Sequence, residues 1–249
     1  MILDADLRRC AALRSALALL AAALCLGGCN GSDVPFGRAV RCAVPGIDVS
    51  RHQGVIAWPR VRAAGFRFVW IKATEGGDYT DPAFRRNWML AEAAGLRRGA
   101  YHFVYWCRPA PDQAAWFIAN VPDDPAALPP VLDVEWNPAS RTCPGKVTRE
   151  VAMGMMQVIL SAMEKTYGRR PIIYAPLDFY QDVLEGSLED YPLWIRSVGT
   201  APGDGYGHRG WLVRQQDDNG TVAGIHGPVD EDCFDGDTGQ WTRLAAAWP

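Results

Sequence analysis

Three helical stretches of this chain stop at a glycine directly before a run rich in β-branched and aromatic residues, at Gly65, Gly95 and Gly168. Glycine there takes the left-handed conformation that closes a helix and turns the chain without a Cβ clash. Repeated helix, glycine, strand junctions mark parallel βα units, because a strand meets a parallel neighbour only after a crossover, and a helix is the compact crossover. Runs that read as strands lie at 46–49, 66–72, 98–105, 130–135, 171–175, 192–198, 210–216 and 229–234, eight in all. Helical segments fit at 59–64, 83–94, 112–120, 148–167 and, with weaker spacing, 177–184. The linkers 199–209 and 217–228 are rich in Gly, Pro and Asp without an apolar period, so helices are not expected there. The expected fold is α/β: an irregular, TIM-like eight-stranded β/α barrel, five βα units followed by three strands with little helix. One such barrel suits a chain of 249 residues.

The stretch Pro129-Pro130-Val131-Leu132-Asp133-Val134-Glu135-Trp136 carries the most chemistry. Residues two apart on a strand share a face, so Asp133 and Glu135 project together while Leu132 and Val134 face away. The pair ends its strand, where barrel enzymes assemble their sites. Two carboxyls this close in a partly buried pocket cannot ionise independently; one is pushed toward its protonated form and becomes an acid near neutral pH. An isolated D-x-E more often caps a loop or holds an arginine. Here other strands carry carboxylates too: Asp48 in Gly46-Ile47-Asp48-Val49-Ser50 on the first, and Asp230 in Pro228-Val229-Asp230 on the last. First and eighth strands are neighbours in a closed barrel, so Asp48 and Asp230 are expected side by side, across the mouth from Asp133 and Glu135. A ring of acids around an uncharged bond suits glycoside hydrolysis, which needs a proton for the leaving oxygen and stabilisation of an oxocarbenium-like centre. No G-x-S-x-G elbow, P-loop or dinucleotide fingerprint between a strand and a helix competes.

With these residues in view, the chain resembles glycoside hydrolase family 25, the muramidases often called Chalaropsis-type lysozymes. The likeness runs in order through Gly46-Ile47-Asp48-Val49-Ser50 with Gln53-Gly54 and Trp58, Ile71-Lys72-Ala73-Thr74-Glu75-Gly76, and Asp81-Pro82-Ala83-Phe84 with Asn87-Trp88. It continues through Gly99-Ala100-Tyr101-His102-Phe103, Leu132-Asp133-Val134-Glu135, Leu193-Trp194-Ile195, and Gly224-Ile225 with Val229-Asp230. The resemblance implies cleavage of the β-1,4 bond between N-acetylmuramic acid and N-acetylglucosamine in peptidoglycan, without metal or organic cofactor. By motif position it implies Glu135 as acid/base, Asp133 as the partner that orients the substrate acetamido group or the developing charge, and Asp48 and Asp230 as the rest of the ring. The D-x-E arrangement resembles substrate-assisted families, which favours the acetamido oxygen as nucleophile. Candidate substrate-binding residues are Lys72, Tyr101, Tyr174, Trp194 and Gln215. Three departures from the family pattern touch the mouth: Arg214-Gln215-Gln216 replaces a Trp-Gln-Tyr run, Arg196 stands where Leu-Trp-Ile-Ala has alanine, and Val229-Asp230-Glu231-Asp232 replaces V-D-x-N. They leave two alternatives: a peptidoglycan-binding lipoprotein without turnover, and a hydrolase of chitin-type amidosugars.

Arg8, Arg9 and Arg14 precede an apolar run at 16–26 that is too short to span a bilayer, and Leu26-Gly27-Gly28-Cys29 resembles a bacterial lipobox. Residues 1–28 are therefore expected to be a lipoprotein signal peptide, Cys29 the lipidated residue, 29–43 a tether and 44–249 the catalytic barrel. An ordinary secretory signal is the alternative, and export follows from both. The expected partners are peptidoglycan strands and, through the anchor, a bacterial membrane, with a monomer facing the periplasm or cell envelope. Cys42, Cys107, Cys143 and Cys233 fit two disulfides in an oxidising compartment, with three connectivities open. Cys107 and Cys143 both follow strand ends at the mouth, which favours pairing them and leaves Cys42 with Cys233. No C-x-x-C occurs and the four His are scattered, so a metal site is not expected. A formal charge of −3 and a pI near 5.8 give no support to nucleic acid as a partner. His102 reads as a hydrogen-bonded core residue, Trp70 and Trp88 as packing, and Met153, Met155, Met156 and Met163 as helix core. His52, His208 and His226 read as surface or loop residues, and Lys72 as either a sugar contact or the partner of an Asp.

Overall fold

A computed structural model describes residues 42–199, 201 and 203–247. The expected signal peptide, Cys29 and the tether up to residue 41 lie outside the described residues. Period-2 patterning puts strands at β1 (Pro45–Val49), β2 (Phe68–Glu75), β3 (Tyr79–Thr80), β4 (Arg97–Phe103), β5 (Val131–Asp133), β6 (Ile172–Ala175), β7 (Leu193–Arg196), β8 (Val213–Gly220) and β9 (Val229–Phe234). Helices α1 (Trp58–Ala63), α2 (Phe84–Ala93), α3 (Ala110–Asn120), α4 (Arg149–Tyr167) and α5 (Leu177–Phe179, continued by a π turn over Tyr180–Leu184) join the early strands, and α6 (Thr238–Ala247) follows the last. The three junction glycines hold positive φ: 105° at Gly65, 79° at Gly95 and 63° at Gly168.

The sheet runs β1-β9-β8-β7-β6-β5-β4-β2 and closes by pairing β1 with β2, while β3 is a short hairpin arm on β2. Six pairings are parallel, from β1–β2 round to β7–β8. The last strand makes the barrel mixed, for β9 is antiparallel to both β8 and β1. The connection 221–228 is too short for a crossover, so β9 must turn straight back. Beyond the last strand lies α6, a terminal helix that is not among the helical segments read from the sequence. It closes the barrel floor: the Trp241 ring packs 4.9 Å from Phe68 and 5.3 Å from Phe234, and Arg97 donates to the Ala245 carbonyl at 2.6 Å.

Alternation along the strands divides the core into two shells. Phe68, Trp70, Val131, Ile172, Trp194 and Val213 fill the barrel, while Val69, Ile71, Leu132, Val134, Ile173 and Ile195 face the helices. Room for the interior rings comes from two missing side chains. A Cβ at Gly46 would stand 2.0 Å from the Phe68 ring, and one at Gly99 would stand 2.3 Å from the Trp70 indole nitrogen. Met156 and Met163 of α4 are fully buried in the outer shell, with Met153 and Met155 packed against it. Disulfides join Cys42 to Cys233 and Cys107 to Cys143.

Candidate active site

Because seven strands run the same way, their inward residues at the C-terminal ends converge on one pole. There they line a cavity of about 340 Å³. Asp48 comes from β1, Asp133 from β5, Glu135 from two residues beyond it, and Asp230 from β9. Asp230 starts its strand rather than ending it, and reaches the mouth only because β9 runs antiparallel. Its Cα is paired with that of Asp48 across the β1–β9 ladder. Lys72, Tyr101, Tyr174, Trp194 and Gln215 line the same cavity, so all nine residues singled out for the site meet in one place.

Their surroundings differ from a simple ring. The Tyr174 hydroxyl donates to Gln215 at 2.9 Å, and the Gln215 amide donates to Asp48 at 2.8 Å, so these two side chains fix the orientation of Asp48. Trp194 is 2% exposed and packs between Trp70 and Tyr174, so its indole forms part of the floor and presents no open stacking face. Lys72 pairs with Glu75 at 2.5 Å instead of an Asp, and lies over the Phe103 ring at 4.6 Å. The Tyr105 hydroxyl donates to the other Glu75 oxygen. Residues three apart on a regular strand face opposite sides; a register irregularity between Lys72 and Thr74 lets Lys72 and Glu75 meet. Periodicity alone therefore misses Glu75 and Tyr105. His52 and Gln53 also line the cavity, from the turn after β1, where a loop assignment hides them.

Glu135 is held past the end of its strand by aromatic packing. The Trp106 indole donates to the Glu135 carbonyl at 2.8 Å, Trp106 stacks on Phe179 at 5.1 Å, and Trp136 packs against both. The next residue after Trp106, Cys107, is bonded to Cys143, which ties the loops after β4 and β5 together.

Burial dominates the electrostatics. It pushes the Glu135 carboxyl up to about 7, against the pull of Lys72 and then Arg196, with Asp178 and Asp230 adding to the rise. Asp230 is raised to about 6 by burial and then by Asp218. Asp48 and Asp133 rise well above the usual carboxylate range, from burial first and then from Asp230 and Glu135 respectively. One buried oxygen of Asp133 has no hydrogen-bond partner. Beneath the ring, Asp232 is fully buried on β9 with both oxygens unpartnered; the Trp194 indole N–H approaches it without satisfying hydrogen-bond geometry. His102 does not line the cavity: its ring nitrogens contact Thr74 at 2.8 Å and Gln113 at 3.2 Å, and burial holds it down to about 4. Among the described residues, no group of three or more His, Cys, Asp or Glu side chains is arranged to hold a metal ion.

The family model of glycosyl hydrolases family 25 matches residues 47–225. Lysozyme M1 of Streptomyces globisporus is 34% identical over 229 residues, covering 88% of this chain and 76% of its own length. The uncharacterized protein YegX of Escherichia coli K12 is 39% identical over 198 residues, 78% of this chain and 70% of YegX. The solved structure of a family 25 glycosyl hydrolase from Bacillus anthracis superposes with a TM-score of 0.77 at 31% identity, covering 86% of this chain and 97% of that one.

Proposed function

The chain belongs to glycosyl hydrolase family 25 and is a glycoside hydrolase, and from that premise we propose that it is a muramidase acting on peptidoglycan. In this reading it cleaves the β-1,4 bond between N-acetylmuramic acid and N-acetylglucosamine, with Glu135 as acid/base. The convergence of Asp48, Asp133, Glu135 and Asp230 on one sugar-sized cavity carries the proposal. Glu135, raised to about 7, holds a proton at neutral pH and gives it to the leaving glycosidic oxygen. The substrate's acetamido oxygen attacks the anomeric carbon as that bond breaks, closing an oxazoline-type ring. Asp133, with an unpartnered buried oxygen, accepts the acetamido N–H and steadies the developing charge. Glu135, now a carboxylate, takes a proton from the water that reopens the ring, and the product keeps its configuration. Asp48 and Asp230 complete the acidic wall, with Tyr174 and Gln215 holding Asp48.

Incubating the soluble domain with purified sacculi and identifying the new reducing ends by mass spectrometry tests the reading. Muramic acid ends are expected. Glucosamine ends, or action on chitin oligomers alone, would assign a different amidosugar hydrolase; intact sacculi that still bind the protein would assign a binder. Glu135→Gln is expected to lower turnover at least about a hundredfold with binding retained.

The proposal extends to the compartment. Residues 1–28 serve as signal peptide, Cys29 carries the lipid, 29–43 form the tether and 44–249 the catalytic barrel, as a monomer facing the envelope. The two disulfides fit an oxidising compartment. Labelling cells with an alkyne fatty acid is expected to tag the protein, and Cys29→Ser to abolish the tag; a tag that survives the substitution rules out this anchor.

A further inference from the structure

Two cations act on the acidic mouth: Lys72 lines the cavity, and Arg196, outside that lining at the end of β7, lies near enough to pull on the Glu135 and Asp230 carboxyls. In the closed strand order β2 and β7 lie four places apart, so Lys72 and Arg196 stand on opposite walls of the barrel. Lys72 is committed: it is 15% exposed and bonded to Glu75. Arg196 is not. It lies two residues after the inward-facing Trp194, at the very end of β7, and its side chain is 42% exposed. Its guanidinium meets Asp218 at 2.5 Å, and Asp218 is itself 43% exposed. An ion pair so open to water contributes little and exchanges partners readily. Arg196 also occupies the place where the family pattern has alanine, so the barrel does not require a cation there. Its charge reaches the site all the same, holding down both the Glu135 and the Asp230 carboxyls.

A guanidinium is always charged, planar and shaped to take a carboxylate through two parallel hydrogen bonds. Muramic acid differs from the sugar of a neutral amidosugar chain by its lactyl ether, whose carboxyl is either free or extended into an acidic peptide. We propose that Arg196 is a specificity-determining residue that exchanges Asp218 for a carboxylate carried by the glycan strand, and so favours anionic muramic-acid glycan over neutral chains. This rests on the hydrolase reading above and deepens it.

The test compares kcat/KM on three substrates: strands bearing stem peptides, denuded strands with free lactyl carboxylates, and denuded strands amidated with carbodiimide and ammonia. Wild-type protein is expected to favour a carboxylate-bearing substrate over the amidated one by about tenfold, the scale of one charged hydrogen-bonded contact. Arg196→Ala is expected to bring that ratio close to one, and Asp218→Asn, which frees the guanidinium, to raise it. Preference confined to denuded strands identifies the lactyl carboxylate, and preference confined to peptide-bearing strands identifies the stem. A general loss of folding or catalysis cancels in the ratio. An Arg196→Ala ratio equal to that of the wild type overturns the proposal. The same ratios read as binding, by sedimentation with Glu135→Gln protein, decide the matter without turnover. If wild-type protein cleaves none of the substrates, the hydrolase reading fails, while the binding ratio still decides whether Arg196 selects a carboxylate.

Discussion

Glu135 and Asp232 are both acids removed from water, yet only one of them can use its proton. Glu135 opens into the cavity and feels Lys72 and Arg196, which temper the effect of burial and leave its carboxyl at about 7. In its proposed role of general acid it must be protonated, so kcat/KM is expected to fall as pH rises through about 7; an alkaline limb that is unchanged in the residual activity of Glu135→Gln would belong to another group. Asp232 lies one layer deeper with no hydrogen bond and is raised well above the usual range by burial, then by Asp48 and Asp230. Below about pH 4 both the folded and unfolded chains hold its proton. Above that the unfolded chain releases a proton the folded chain keeps, so Asp232 subtracts stability progressively as pH rises. Asp232→Asn, which restores the family's residue, is therefore expected to stabilise the fold by on the order of 1–3 kcal/mol near neutral pH and by little near pH 4. Urea melts at the two pH values check this, and an equal effect at both would mean that Asp232 does not titrate between them.

At the scale of elements, two local irregularities shape the mouth. The register shift in β2 brings Glu75 to Lys72, and the antiparallel β9 brings its first residues, Asp230 among them, to the pole where the parallel strands end. Period-2 reading correctly separates Asp133 and Val131 from Leu132 and Val134, because that alternation is a property of the strand itself. It cannot see the register shift between Lys72 and Thr74, which shows only in the pairing of β2 with β4. Beyond β5 the chain leaves the sheet, and the Trp106, Trp136 and Phe179 cluster with the Cys107–Cys143 bond takes over the work of holding Glu135. Replacing Cys107 and Cys143 by Ser is expected to lower kcat several-fold with a smaller change in Tm; unchanged kcat would show that packing alone fixes the loop.

Across the whole molecule the barrel is closed twice, by the β1–β2 pairing and by Cys42–Cys233, which ties the first strand to the last. That bond spans 191 residues against 36 for its counterpart. In the chain-entropy account the longer loop stabilises by about 1–2 kcal/mol more, so Cys42→Ser with Cys233→Ser is expected to lower Tm further than loss of the mouth bond while sparing kcat. A calorimetric scan of both variants decides the order. At the floor, α6 covers Phe68 and Phe234 with Trp241.

The amino-acid order determined what is encoded locally: which residues alternate inward, where helices stop, and that acids stand on the first, fourth and last of the eight barrel strands. The meeting of Asp48 with Asp230, the partners of Lys72, the isolation of Asp232 and the exposure of Arg196 were decided by closure of the barrel. They depend on residues far apart in the chain, and distance along a chain carries no record of which side chains will share a cavity once the sheet has curved back on itself.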